Sequence, residues 1–446
     1  MTMIPDRVPT GRSRTKIPDD AAVSSHGSRL LAIALGHALE WYDWGVYAVF
    51  APFFAAQFFG AGDEASAVLK SLAVFAVGFI ARPLGGILLG ALADRRGRRY
   101  TMTLAVGTMA LASLVLGVTP THHTIGVVAP LVLLTARLAQ GMACGGELPA
   151  AQTYLAEIAP ARSRGRWSSI IYIASVFGNT TGIALGLVLT LWLSDAQMHD
   201  WGWRVPFVIG AVLGTVTALM RRVMAEPQIF LSGRPDRAKP ARTPRRRYGR
   251  RTFQVIGLSV GLTVAYYSWV VAAPAYAIST LRVPPSHALG AAILAAVPFM
   301  ALMPLWGAVS DRIGRRPVLL VAVLASAVLQ FPLEGLLSGG AGNLFLALVL
   351  AMAPLGAAVS ILPAVYAELF PTAIRASGMA LPYSLTTALF GGTAPYLQDW
   401  VSVHLSRPVF DAYIVGLLAI TAVTIISLPE TRGHSLEESA ERQRTR

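Results

Sequence analysis

Apolar residues gather along this chain into long runs separated by short polar breaks. About 20 apolar residues are needed for a helix to cross the hydrocarbon core of a bilayer. Runs of that order lie at Leu31 to Phe59, Val68 to Ala93, Met102 to Val118, Gly126 to Glu157, Ser168 to Leu193 and Val205 to Val223. A basic gap follows. The runs then resume at Phe253 to Leu281, His287 to Val309, Pro317 to Leu337, Leu344 to Phe370, Ala376 to Val403 and Phe410 to Leu428. The pattern predicts an all-α polytopic membrane protein of twelve transmembrane helices. It divides into a cytoplasmic N-tail (residues 1–30), a six-helix bundle (31–223), a basic cytoplasmic linker (224–251), a second six-helix bundle (252–428) and a cytoplasmic C-tail (429–446).

Composition agrees. Only 13% of the 446 residues are charged, against roughly 25% in soluble proteins, and the mean hydropathy is +0.56. The net charge of +14 raises the question of nucleic acid, which its distribution answers. The tails and the loops after helices 2, 4, 6, 8 and 10 hold 31 of the 37 Lys and Arg, and the opposite loops hold four: Lys70, Arg204, Arg282 and Arg407. Basic residues stay cytoplasmic during insertion, so both termini are expected inside. The stretch Arg221 to Arg251 carries eleven basic residues but no aromatic platform, and so reads as a connector beside anionic lipid, not as a nucleic-acid reader. The N-terminal segment lacks a secretory signal pattern, and Asp6, Asp19 and Asp20 speak against an organellar transit peptide. Cys144 is the one cysteine, so no internal disulfide is expected.

The two bundles repeat one another. Gly90-Ala-Leu-Ala-Asp94-Arg-Arg-Gly97-Arg98-Arg99 matches Gly307-Ala-Val-Ser-Asp311-Arg-Ile-Gly314-Arg315-Arg316, offset by 217 residues. Glu157, Pro160, Arg164 and Gly165 match Glu368, Pro371, Arg375 and Ala376, offset by 211. A weaker third pair is Glu226-Pro227 and Pro429-Glu430. A repeated loop with fixed Gly, Asp and Glu spacing does more than set topology. Gly90 admits a neighbouring helix, Gly97 a tight turn, and Asp94 at a helix end suits backbone N–H groups or Arg98.

Charges inside a span are costly, at least ~2.5–3.5 kcal/mol at the bilayer centre, and mark function by default. His37, Glu40, Asp43 and Tyr47 share one face of helix 1, and Arg137, Gln140, Cys144 and Glu147 share one face of helix 4. Helix 2 carries Arg82. At ~1.5 Å per residue, Asp43, Arg82 and Arg137 all fall ~17–18 Å from a helix end, near the midplane where transporter sites lie. Asp43 is the expected proton carrier. Burial disfavours its charge and Arg137 favours it, so a pairing made in only one conformation would couple proton affinity to access. Glu40 and Glu147 are second candidates. The competing reading is a permanent Asp43–Arg137 ion pair that only joins helices. His37 either titrates near neutrality or stays a neutral hydrogen-bonding ring.

Arg82 and Arg137 suit a carboxylate, with Gln140, Tyr47, Tyr266, Tyr267 and Tyr383 as further substrate candidates, although Tyr and Trp also populate membrane interfaces. Trp269 and Tyr276 in helix 7 and Ser384, Thr386 and Thr387 in helix 11 add polar and aromatic groups. Together these favour a small organic anion over a sugar. No H-E-x-x-H or C-x-x-C pattern occurs, so an intramembrane enzyme, a catalytic site or a metal is not expected.

The G-x-L-A-D-R-x-G-R-R loop, its echo and the twelve spans resemble the major facilitator superfamily, whose fold is two six-helix bundles. Further motifs narrow this to the metabolite:proton symporter family, whose members move citrate, 2-oxoglutarate, shikimate, proline or betaine. They are Glu40-Trp-Tyr-Asp43, Arg137-Leu-Ala-Gln140-Gly141 through Gly145-Gly146-Glu147, Gly202-Trp203-Arg204-Val-Pro206-Phe207, Glu368-Leu-Phe-Pro371 with Arg375-Ala-Ser-Gly378, and Phe390-Gly391-Gly392-Thr-Ala-Pro395. His37 departs from the pattern, which has Asn there. The resemblance implies a conformational latch of Gly90, Asp94, Gly97, Arg98, Glu157 and Arg164 in one half and Gly307, Asp311, Gly314, Arg315, Glu368 and Arg375 in the other. It also implies an Asp43–Arg137 pairing like that of sugar:proton symporters.

The expected function is proton-coupled symport of a small carboxylate across the bacterial inner (plasma) membrane by alternating access. The protein is expected to act as a monomer, with the proton gradient as driving force and no cofactor, its partners being substrate, protons and the bilayer. The alternatives are uptake of a zwitterion such as proline or betaine, or proton-driven efflux. The osmosensing relatives carry a long C-terminal coiled coil, and a tail of about seventeen residues is too short for one.

Overall fold

A computed structural model describes residues 19–60, 64–232, 249–279, 281–337, 340–433 and 436. Most of the expected N-tail, the middle of the basic linker and most of the C-tail lie outside the described residues. Among the described residues, twelve long helices cross one layer. The first six are α1 Asp19–Phe59, α2 Glu64–Arg96, α3 Arg98–Val118, α4 Val128–Ile158, α5 Arg164–Trp192 and α6 Arg204–Arg222. The second six are α7 Gly249–Tyr266, α8 Pro285–Ile313, α9 Arg315–Leu337, α10 Ala341–Leu369, α11 Arg375–Thr386 and α12 Arg407–Ile426.

Ten spans meet the length and apolarity expected of a crossing among the described residues. The two others are α1 and α11, for physical reasons. α1 gives one face to His37, Glu40 and Asp43, all buried. α11 is interrupted by a π turn at Thr387–Gly391 before it continues as Ala394–His404. α7 is interrupted in the same way by a π turn at Tyr267–Ala272, then runs on over Ala273–Ser279. Broken membrane helices are tolerated where they line a cavity rather than lipid, and π turns gather at functional sites. Ile80, Leu111, Val328 and Val423 are more than 60% exposed, as suits side chains solvated by lipid tails.

Within the first half, α2 and α4 touch backbone to backbone. A Cβ on Gly141 would stand 2.0 Å from Gly78 O, and one on Gly145 would stand 2.0 Å from Arg82 O. Without a hydrophobic force between helices in lipid, such small-residue contact is what holds them. The halves meet along α2 with α11 and along α5 with α8. There Gly307 admits the Gly165 carbonyl, 2.6 Å from where a Cβ would stand.

Arg221, the first basic residue of the stretch that runs to Arg251, lies within the last turn of α6 and is fully buried. Its Nη1 and Nη2 each donate to Glu147 at 2.8 Å, and its remaining N–H groups donate to the carbonyls of Ala32, Ile33 and Met102. One guanidinium thereby staples α1, α3, α4 and α6. Arg407 differs from its loop expectation, since it opens α12 and pairs with Glu334.

Candidate functional site

At one end of the molecule the repeated loops form two matching charged clusters. Gly97 and Gly314 have φ of 119° and 114°, a conformation that glycine alone adopts at little cost. Asp94 accepts from the backbone N–H of Ala376 at 3.2 Å and Ser377 at 2.8 Å, the first amides of α11. Asp311 accepts from Gly165 at 2.8 Å and Arg166 at 2.9 Å, the first amides of α5. Each acid thus sits on the positive end of a helix from the other half.

The ion pairs cross between halves as well. Glu157 Oε1 takes Arg375 at 2.6 Å and Arg98 at 3.1 Å. Glu368 Oε1 takes Arg164 at 2.9 Å and Arg315 at 3.5 Å. The weak third repeat does the same work in both halves. Glu226 accepts from the amides of Arg98 and Arg99, and Glu430 from those of Arg315 and Arg316. Ser377 against Gly90 and Ser168 Oγ donating to Ser360 O at 2.6 Å close the same end further in.

Between the halves lies a cavity of about 20 Å³ ringed by Trp41, Tyr172, Tyr266, Tyr267, Tyr366 and Tyr383. That volume holds about one water, so the centre is contracted and a metabolite needs the halves to part. Arg82 abuts this ring, its Nη1 donating to Tyr267 Oη at 3.5 Å across the two halves. The guanidinium is 5% exposed, stacks 4.3 Å from Trp44 and 4.2 Å from Phe79, and leaves Nε without a partner. No carboxylate pairs with it among the described residues.

Asp43 sits elsewhere. Its Oδ2 accepts from Ser113 Oγ of α3 at 2.8 Å and Gln140 Nε2 of α4 at 3.3 Å, and its Oδ1 faces Gly210 of α6 with no donor. The acid therefore lies inside the first bundle and does not line the central cavity. Nor does it touch Arg137 directly. Arg137 Nη1 donates to Gln140 Oε1 at 2.7 Å, which makes Gln140 the link. Arg137 is fully buried, keeps Nε and Nη2 unpartnered, and stacks on Tyr47 and, at 4.4 Å, on Trp44. Both guanidiniums share the Trp44 indole, so a continuous path runs Asp43, Gln140, Arg137, Trp44, Arg82.

Of the expected substrate residues, Arg82, Tyr266, Tyr267 and Tyr383 meet at the cavity. Tyr47, Arg137 and Gln140 pack in the first bundle, with Tyr47 Oη donating to Ser71 O at 3.0 Å. Trp41, Tyr172 and Tyr366 complete the ring without standing out in the sequence, because an aromatic within an apolar run has the same signature as packing. Glu147, a second proton candidate, is tied at both oxygens to Arg221, which fixes it as a structural anion. Glu40 is held by the Cys144 thiol and lies 3.3 Å from His37 Nδ1.

Residues 33–301 match the Major Facilitator Superfamily pattern, and residues 239–442 match that of the "Sugar (and other) transporter" family. The chain is 32% identical over 436 residues to the alpha-ketoglutarate permease of Escherichia coli K12, covering 95% of this chain and 99% of that one.

The chain belongs to the major facilitator superfamily.

Its similarity places it with the metabolite:proton symporters of that superfamily. It is 29% identical over 422 residues to the proline/betaine transporter of the same strain, covering 92% of this chain and 84% of the relative. The proton:xylose symporter XylE with bound 6-bromo-6-deoxy-D-glucose superposes with a TM-score of 0.80 at 18% identity, over 94% and 99% of the two chains, which establishes the shared fold. As a major facilitator the protein is a multi-pass membrane transporter that works by alternating access, not an enzyme.

Proposed function

We propose that this transporter imports a small carboxylate together with a proton across the bacterial inner membrane, with both termini in the cytoplasm. The observation that carries the reading is Arg82, a buried guanidinium between the halves that forms no ion pair among the described residues, with Glu40 acting on it only from beyond ion-pair distance. A cation so placed is costly in lipid until an anion meets it. Alpha-ketoglutarate, proline and betaine, for which those relatives are named, all bear a carboxylate. The aromatic ring supports a second reading, a zwitterion whose ammonium lies against Tyr and Trp faces while its carboxylate meets Arg82.

The test is uptake into proteoliposomes of labelled 2-oxoglutarate, citrate and glycine betaine, with the outside more acidic than the lumen or at equal pH. Accumulation of at least one under the gradient is expected. No gradient-dependent uptake of any of them contradicts the proposal.

The charged clusters serve in this reading as a cytoplasmic latch, closed here. Glu157→Gln leaves Arg375 and Arg98 short of their shared anion, which removes roughly 3–5 kcal/mol from the latched state. Spin labels at the exposed positions Arg96 and Ala373, one in each half, should move apart in that variant. An unchanged distance distribution would count against the latch.

A further inference from the structure

At the end of the second bundle opposite the latch, three ionisable side chains outside the transport site come together. Glu334 lies in the last turn of α9; Arg407 opens α12 and Asp411 follows one turn later. Arg407 Nε is 3.0 Å from Glu334 Oε2 and 3.6 Å from Asp411 Oδ1. The Asp411 side chain is 0% exposed, Arg407 11% and Glu334 25%.

The two carboxyl groups thus face the same guanidinium nitrogen from two different helices. Ionised carboxylates offer only lone pairs, so neither acid has a hydrogen to give the other unless a proton is bound. The donor inventory agrees. Gln330 Nε2 donates to Asp411 Oδ1 at 2.8 Å, while Asp411 Oδ2 and Glu334 Oε2 receive no hydrogen bond. Two acids facing one guanidinium leave one negative charge in excess around a wholly buried side chain. Carboxylates sharing a site give up their protons in two separated steps.

The surrounding elements supply no second cation among the described residues. α7 contributes the Tyr276 ring, 4.3 Å from the Arg407 guanidinium. At the end of α11, His404 stacks on Trp400 and bonds its carbonyl. Arg282, on the α7–α8 connection, and His287, in the first turn of α8, are not buried. None of these forms an ion pair with the two acids among the described residues.

We propose that Glu334 and Asp411 share one proton and form a second proton-binding site, separate from Asp43 and nearer the external face. The pair is wired to the transport site. Gln330, which bonds Asp411, accepts from Trp269 Nε1 at 3.0 Å. Trp269 belongs to the π turn of α7 that begins at Tyr267, the partner of Arg82. Loss of the proton draws Arg407 between two anions and passes the change through Gln330 to that turn. The existence of the pair does not depend on the transport reading; only its effect on uptake does.

Infrared difference spectra of purified protein in nanodiscs, recorded across neutral pH, test the pair without any substrate. A protonated-carboxyl band should vanish in Glu334→Gln and equally in Asp411→Asn, because either survivor ionises beside Arg407. All these spectra are recorded in an Asp43→Asn background, which removes any band from Asp43 and in which the band of the pair should persist. Glu334 is partly exposed, so that variant folds even where Asp411→Asn does not, and the loss of its band alone then scores the pair. A band that survives Glu334→Gln, or that no carboxyl variant removes, overturns the proposal. Uptake of 2-oxoglutarate by Glu334→Gln should in addition lose its dependence on external pH.

Discussion

The Asp43→Asn protein, reconstituted in vesicles, is expected to exchange substrate across the membrane at near the wild-type rate but not to concentrate it under a proton gradient. The carboxyl holds one neutral donor from Ser113 and one from Gln140, with Oδ1 left open. It carries no permanent ion pair, in contrast to Glu147, which is saturated by Arg221. An acid that lacks a fixed counter-charge is free to bind and release a proton as its surroundings change. Those surroundings change when Gln140 turns, since the same amide that donates to Asp43 accepts from Arg137. Asparagine keeps the size and an acceptor oxygen for Ser113 and Gln140, puts an amide NH2 in place of the other oxygen, and cannot bind or release the proton. Counterflow of labelled substrate, read beside gradient-driven accumulation, separates the two effects. Continued accumulation in the variant would remove Asp43 from the coupling path.

Replacing Arg82 is expected to have the larger effect on substrate affinity. Loss of one partner of a buried charge pair costs roughly 2–5 kcal/mol, so Arg82→Ala should raise the concentration for half-maximal uptake by about 30-fold or more. Arg82→Lys keeps the charge but loses the planar fork, and loses contact with the Trp44 and Phe79 rings that orient it. It should therefore recover only part of the affinity. Uptake kinetics on both variants check this, and an unchanged half-saturation in Arg82→Ala would place the substrate anion elsewhere.

How much of the molecule is legible in its sequence depends on the length scale of each feature. The two bundles and their repeat are plain, because apolar runs and loop spacing are local. Even the weak Glu226 and Glu430 pair marks a real equivalence, each acid capping the amides of two arginines. Helix faces are also legible, since the polar residues of α1 and α4 do meet one another. Partners across long separations are not. Glu147 looks free in the sequence because Arg221, 74 residues on, stands at the edge of a loop. Asp43 and Arg137 match in depth, but depth along a helix does not fix direction around it, and Gln140 comes between them. Three of the six ring aromatics stay hidden because only the assembled halves distinguish a cavity wall from packing. Asp411 and Glu334 draw no notice near helix ends, where acids are ordinarily solvated.

Substrate and proton are held to move together through this chain. That is tested most directly by recording the internal pH of vesicles as 2-oxoglutarate, or glycine betaine under the second reading, is added outside at equal starting pH. Acidification of the lumen that follows substrate entry and disappears in Asp43→Asn is the predicted result. Substrate entry with no change in lumenal pH would contradict it.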